Sequence, residues 1–199
     1  MAILRGPVTA ASPAHAAQPA DLFNLWLGHW RVSWQSADGT TAKARNRISK
    51  TLDGRVIEEN FEQDPADPPP LLRGRSLSVQ QQATGIWQQA WADNQGGYFS
   101  CSASVDGDKR IFATALLPGA DNSVRGQRMV FYNIQANSFA WDWEGTRDGG
   151  KTWSLPWRLT YSRQQSRNRA PATPHRRVNR RTESKRTILA SSATKPTAI

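Results

Sequence analysis

From Gly28 to Arg163 the chain is a succession of short stretches in which apolar and polar residues alternate, each stretch ended by turn residues. A period of two sends successive side chains to opposite faces of an extended chain, so the pattern predicts half-buried strands rather than helices. Trp30, Val32 and Trp34 share one face, with His29, Arg31 and Ser33 opposite. Asp38-Gly39 turns the chain into Thr41 to Leu52, and Asp53-Gly54 turns it into Val56 to Glu62. The proline-rich run from Asp64 to Pro70 cannot pair in a ladder and reads as a loop. Extended stretches resume over Leu72 to Gln80, Trp87 to Asp93, Tyr98 to Val105, Arg110 to Leu116, Gln127 to Ile134, Ser138 to Glu144 and Trp153 to Arg163.

About ten strands with short connections favour antiparallel neighbours in sequence order. The expected fold is all-β: a single closed, up-and-down antiparallel barrel of about 8 to 10 strands, because closure removes the open edges of such a meander. Leu22 to Leu27, with Asp21 as its N-cap, is expected to form one helical turn before the first strand. Eight of the nine tryptophans form even-spaced pairs: Trp30/Trp34, Trp87/Trp91, Trp141/Trp143 and Trp153/Trp157. Even spacing puts both members of a pair on one side of the sheet, and side chains of this size belong on the inside.

Charge divides the chain. The whole carries a formal net charge of +10, yet residues 1–162 hold 16 Lys/Arg against 15 Asp/Glu, and residues 163–199 hold 10 Lys/Arg against Glu183 alone. The expected organisation is therefore a leader over 1–21, a barrel domain over 22–163 and a disordered basic tail over 164–199. The tail has no aromatic residue to stack on bases, so it is not read as a nucleic-acid arm. The Ala-rich leader carries Arg5 and an Ala14-His15-Ala16 site, but Pro7, Thr9, Ser12 and Pro13 break the apolar run that a secretory signal needs. It reads as disordered or as a degenerate signal, leaving the compartment open between cytoplasm and periplasm or exterior. No apolar run is long enough to span a bilayer, and no oligomeric state is specified.

Gly28-His29-Trp30, just after the helical turn, resembles the opening signature of lipocalin-like (calycin) barrels. The resemblance implies that Trp30 plugs the closed end and that an arginine of the last strand packs across its ring. Arg163, on the face of Trp157, Leu159 and Tyr161, is the expected partner. A longer pattern runs from Leu22 to Val32 and continues in Val56-Ile57-Glu58-Glu59-Asn60-Phe61 and Trp91-Ala92-Asp93-Asn94-Gln95-Gly96-Gly97-Tyr98. It is similar to a bacterial lipocalin-like family, a domain of unknown function with a Phe/Leu-x-x-Gly-x-Trp-x-Val start. That resemblance covers residues 22–163 and implies the fold, not a reaction.

Candidate chemistry is sparse. Thr146-Arg147-Asp148-Gly149-Gly150-Lys151-Thr152-Trp153 matches the Asp-box of sialidase propellers, but a single copy is read as a structural hairpin. Polar residues on apolar faces are more informative. Glu59 shares a face with Ile57 and Phe61, Asp93 with Trp87 and Trp91, and Arg73 and Arg75 with Leu77 and Val79. The candidate ligand cavity comprises Trp34, Glu59, Phe61, Arg75, Trp87, Trp91, Asp93, Trp141 and Trp143, and the ligand is expected to be small and partly apolar. Gly28, Trp30 and Arg163 are expected to close the barrel.

The alternatives are a hydrolase or isomerase using inward carboxylates and arginines, and an interaction protein acting through the basic tail. No Ser/His/Asp or Cys/His set falls on residues 22–163, and no catalytic, metal or cofactor residues are assigned. The haem-binding nitrobindin-like barrels ligate iron through a His of a late strand, and residues 126–163 contain none. Cys101, between Phe99 and Ala103, is read as a buried, inert thiol.

Overall fold

Each alternating stretch forms a strand in the structure, a computed structural model that describes residues 17–164. The strands are β1 (Gly28–Gln35), β2 (Thr41–Thr51), β3 (Val56–Gln63), β4 (Arg73–Gln80), β5 (Trp87–Asp93), β6 (Tyr98–Asp106), β7 (Lys109–Thr114), β8 (Leu117–Pro118), β9 (Val124–Gln135), β10 (Ser138–Thr146) and β11 (Ser154–Arg163). All but β8 form a closed antiparallel barrel of ten strands, ordered β1 to β7, then β9, β10 and β11, which pairs back onto β1. The two residues of β8 make a small ladder with the start of β9. The expected leader and tail fall outside the described residues, apart from residues 17–21 and 164. Among the described residues no helix is long and apolar enough to cross a membrane.

One end of the barrel is plugged. Residues 17–27 run across it, with a single 3-10 turn over Asn24–Trp26. The expected N-cap does not form: the turn is capped by Phe23 without a side-chain bond, and Asp21 contributes only its backbone carbonyl, which accepts from the Asn24 N–H at 2.8 Å. What holds the segment is apolar burial. Phe23 is fully buried, stacked on Phe112 at 4.2 Å between centroids and edge-on to Trp87 at 5.7 Å. Trp26 packs edge-on against Phe131 at 5.3 Å. Polar ties fix the register: Gln18 Nε2 donates to Ala103 O at 2.7 Å, and Trp87 Nε1 donates to Pro19 O at 3.1 Å.

The barrel closes where β1 meets β11, with Trp30 opposite Arg163. The Arg163 guanidinium lies 4.2 Å over the centre of the Trp30 ring, donates to Leu27 O and Ala136 O at 2.9 Å each, and so staples three segments. Gly28 is required at this point, because its φ is +130° and a Cβ would run into Arg163 Nη1.

The Asp-box is a hairpin between β10 and β11. Asp148 accepts from Thr146 Oγ1 at 2.8 Å, from the Thr152 N–H at 3.0 Å and from Thr152 Oγ1 at 2.7 Å, which holds its carboxyl far below the usual range. Trp153 departs from the expected pairing with Trp157. It precedes the strand, its Nε1 donates to Gly150 O at 3.1 Å, and Arg128 packs 4.0 Å over its ring on the outside of the turn. Asp148→Ala should open the segment 147–153 to trypsin at Arg147 and Lys151 while the main melting transition persists. Cleavage no faster than in the wild type would show that this side chain does not hold the turn.

Candidate ligand cavity

Inside the barrel, the large side chains are not spread evenly. β1, β5, β6, β10 and β11 send Trp34, Trp91, Phe99, Trp141, Trp143 and Trp157 inward near the open end. They meet in an aromatic cluster: Trp34 is edge-on to Trp157 at 5.3 Å, Trp141 stacks on Trp143 at 6.2 Å, and Phe99 packs on Trp143 at 4.9 Å. β4 supplies no bulk on this face. Its inward residues are Gly74, Ser76 and Ser78, and a Cβ at Gly74 would run into the Trp91 ring. The Trp91 indole thus lies directly against the β4 backbone, and the space left between strands is a cavity.

That cavity has a volume of about 140 Å³ and runs from Trp26 in the plug to Leu72 and Asp93 at the mouth. An engineered apolar cavity of about 150 Å³ in another protein takes one benzene ring. The wall is almost wholly apolar, with indoles of Trp91, Trp141, Trp143 and Trp157 on its sides. Two carboxylates interrupt it: Glu59 within the barrel and Asp93 near the rim.

Glu59 sits in a buried polar row with members from five strands, β11, β2, β3, β4 and β5. Asn46 Nδ2 donates to Glu59 Oε1 at 2.7 Å and to the Tyr161 hydroxyl at 3.2 Å. Ser76 Oγ donates to Glu59 Oε2 at 2.6 Å, and Gln89 Nε2 donates to Ser76 Oγ at 3.3 Å and Ser78 Oγ at 3.2 Å. All the donors to Glu59 are neutral. Burial therefore dominates and pushes its carboxyl up to about 7, against the hydrogen bonds from Ser76 and Asn46 that pull it down. Burial, with the neighbouring Glu59 charge, also pushes the Tyr161 phenol up, so it stays protonated. Two acceptors in the row, Asn46 Oδ1 and Gln89 Oε1, have no donor, and neither does the Trp26 indole N–H have an acceptor, among the described residues.

Asp93 is a different carboxylate. Burial is the largest single influence and raises it, but it accepts from Trp91 Nε1 and from the Gly97 and Gln95 N–H groups at 2.9 Å each, and together these bonds hold it below its ordinary value. It stays ionised and ties the Trp91 ring to the β5–β6 turn.

Of the residues expected from sequence, Glu59, Phe61, Trp91, Asp93, Trp141 and Trp143 line the cavity. Three do not. Arg75 lies on the outer face, its side chain 73% exposed and 3.6 Å from Glu58. The apolar side chains that suggested an inward face for it, Leu77 and Val79, are themselves 52% and 39% exposed. β4 is turned the other way because only Gly74, Ser76 and Ser78 leave room for Trp91, Glu59 and Gln89. Trp87 is buried in the plug beside Phe23 rather than in the cavity. Trp34 points inward but lies behind Trp157 and Phe61, outside the lining. The lining also includes Trp26, Leu72, Phe99, Met129, Trp157, Leu159 and Tyr161, none of which the sequence reading placed there.

The polar row was legible only in part. Asn46 occupies an inward position between Ala44 and Ile48, and an amide among small apolar alternates is the signal that could have found it. Cys101 is buried, with burial pushing its thiol up to about 11, as an inert thiol requires. Among the described residues no group of three His, Cys, Asp or Glu side chains is placed to hold a metal ion.

No family model matches the chain. No curated protein matches it either. Among solved structures it is similar to the crystal structure of Rv2717c from M. tuberculosis, at 14% identity and a TM-score of 0.47, over 75% of this chain and 99% of that one.

Proposed function

We propose that the protein is a small-molecule-binding barrel of the lipocalin-like kind, belonging to the bacterial family that its Gly28-x-Trp30-x-Val32 start resembles, and that it holds one partly apolar ligand among the indoles. The observation that carries this reading is the cavity itself. A ten-strand barrel with this many large aromatics could fill its interior, yet β4 presents Gly74, Ser76 and Ser78 there and leaves about 140 Å³ open. Concave apolar sites with a few placed polar groups are where small ligands bind. The volume favours a single-ring compound and disfavours a porphyrin or a long acyl chain.

A hydrolase or isomerase reading draws less support. Glu59 has an acidity suited to proton transfer at neutral pH, but Asp93 is committed to Trp91, Gln95 and Gly97, and Arg75 faces outward.

Five indoles line the cavity and make binding visible by intrinsic fluorescence. Benzylamine, benzyl alcohol and toluene should between them give at least one saturable quench. Gly74→Ala should weaken it by about tenfold, since the added Cβ must drive the Trp91 ring from its seat, a small-to-large change of typically 1–3 kcal/mol. The absence of any saturable response from such a panel would remove the ligand reading.

A further inference from the structure

We propose that the cavity selects small organic cations: a protonated or quaternary amine carrying one ring, its charge set against Glu59 and its ring held among the indoles. This rests on the ligand-binding reading above and names the ligand class. Three observations carry it.

The first is the sign of the charge. Among the described residues the cavity is lined by two carboxylates and by no lysine, arginine or histidine. The arginines nearest in sequence to the polar row, Arg45, Arg47, Arg73 and Arg75, all lie on the outer, exposed face of β2 and β4. A ligand carboxylate would meet two like charges; a cation meets none.

The second is the unbalanced burial of Glu59. A carboxylate out of water is stabilised by a paired cation or it takes up a proton. Here only the neutral Asn46 and Ser76 side chains bond it, and the row behind them holds two further acceptors without donors, Asn46 Oδ1 and Gln89 Oε1. Those two amides lie behind the lining, and on the lining itself the Trp26 indole N–H lacks an acceptor; what the cavity lacks for Glu59 is a positive charge, and an ammonium supplies it.

The third is the wall. Indole faces attract cations through their negative quadrupole, and more strongly when water is excluded. The barrel already uses this contact twice, with Arg163 over Trp30 and Arg128 over Trp153. Trp91, Trp141, Trp143 and Trp157 have no such cation of the protein's own over them among the described residues.

Glu59 is also the group that titrates near neutrality. The other titratable groups at the cavity are Asp93, held ionised by its three donors, and Tyr161, held protonated by burial; Asn46 and Ser76 do not titrate. Affinity for a permanent cation should therefore rise as pH climbs through about 7, whereas affinity for a neutral isostere should not.

Calorimetric titration of the full chain with benzyltrimethylammonium, benzylamine, benzyl alcohol and benzoate tests this. At pH 8 the two cations should bind at least about tenfold tighter than benzyl alcohol, and benzoate weakest. That preference should collapse in Glu59→Gln. Should the variant fail to fold, the wild-type pH profile decides: benzyltrimethylammonium affinity rising between pH 6 and 8 supports the proposal, and a flat profile overturns it. Benzyl alcohol equal to the cations, or a cation preference that survives Glu59→Gln, also overturns it while leaving a neutral-ligand barrel standing. If none of the four compounds binds, the cation proposal falls with the single-ring ligand reading.

Discussion

Trp30→Ala is expected to lower the stability of the barrel by about 3–5 kcal/mol, the range for truncating a fully buried large aromatic. Three losses combine. The indole is completely buried and edge-on to Phe139 at 4.8 Å and Tyr161 at 6.2 Å, so its removal leaves a cavity at the seam of the barrel. Its Nε1 donates to Trp26 O at 2.8 Å, tying the plug to β1. Its face carries the Arg163 guanidinium. Arg163→Ala should cost about 1–3 kcal/mol, because the carbonyls of Leu27 and Ala136 lose a charged donor along with the cation–π contact. Since ring and guanidinium act through each other, the double variant should lose less than the sum, by about 1 kcal/mol. Urea denaturation followed by far-UV circular dichroism measures all three, and strictly additive losses would show that the stacked pair is incidental to closure.

The seam was readable from sequence because the calycin-like resemblance of Gly28-x-Trp30 implies an arginine of the last strand over that ring, and strand parity chooses which arginine. Gly28-x-Trp30 opens the first strand, and strand parity puts Arg163, not Arg158, on the inner face of the last. Arg158 indeed turns outward, where it grips Asp142 at 2.7 and 2.8 Å. Parity also placed Glu59 and Asp93 inward, Glu59 between Ile57 and Phe61 and Asp93 two residues after Trp91.

β4 was misread by the same rule. Its larger apolar residues, Leu77 and Val79, face outward, and what lies inward is Gly, Ser and Ser. Alternation ranks faces by hydrophobicity, whereas packing ranks them by fit. Opposite a tryptophan as close as Trp91, only a small residue fits, and opposite buried Glu59 and Gln89 only a hydroxyl can bond. Such constraints come from residues 11 to 115 apart in sequence, as the Gln89 bond to Ser78 and the Asn46 bond to Tyr161 illustrate, and no local pattern carries them. Trp87 and Trp91 make the same point along one strand. Both face inward, but one end of that face is plugged by Phe23 and the other opens on the cavity, a difference in depth that parity cannot express.

The row around Glu59 also makes stability depend on pH in an unusual direction. For most carboxylates the folded state lowers the pKa, and stability falls as the group is protonated in acid. Glu59 has the opposite sign: its folded pKa is about 7 against 4.5 for the free group. Between those values the folded chain holds a proton that the unfolded chain has released, so stability decreases as pH rises through this window. It is fully present below about pH 4.5 and is lost above about 7. The difference corresponds to roughly 3 kcal/mol, at about 1.4 kcal/mol per unit. Glu59→Gln should remove it. The amide keeps the shape, and Asn46 can turn its amide so that the unpartnered Oδ1 accepts from the new NH2 while Ser76 donates to the new carbonyl. The variant should therefore be comparable to the wild type at pH 4.5 and more stable by a few kcal/mol at pH 8. Asp121, Asp148 and Asp93 titrate with the ordinary sign in both proteins and cancel in the difference. Urea midpoints for the two proteins at half-unit steps from pH 4.5 to 8.5 give that difference directly. A difference that stays flat across the window would mean that Glu59 is charged in the fold at neutral pH. A cation in the cavity should flatten it too, because pairing the carboxylate returns its pKa toward that of the free group.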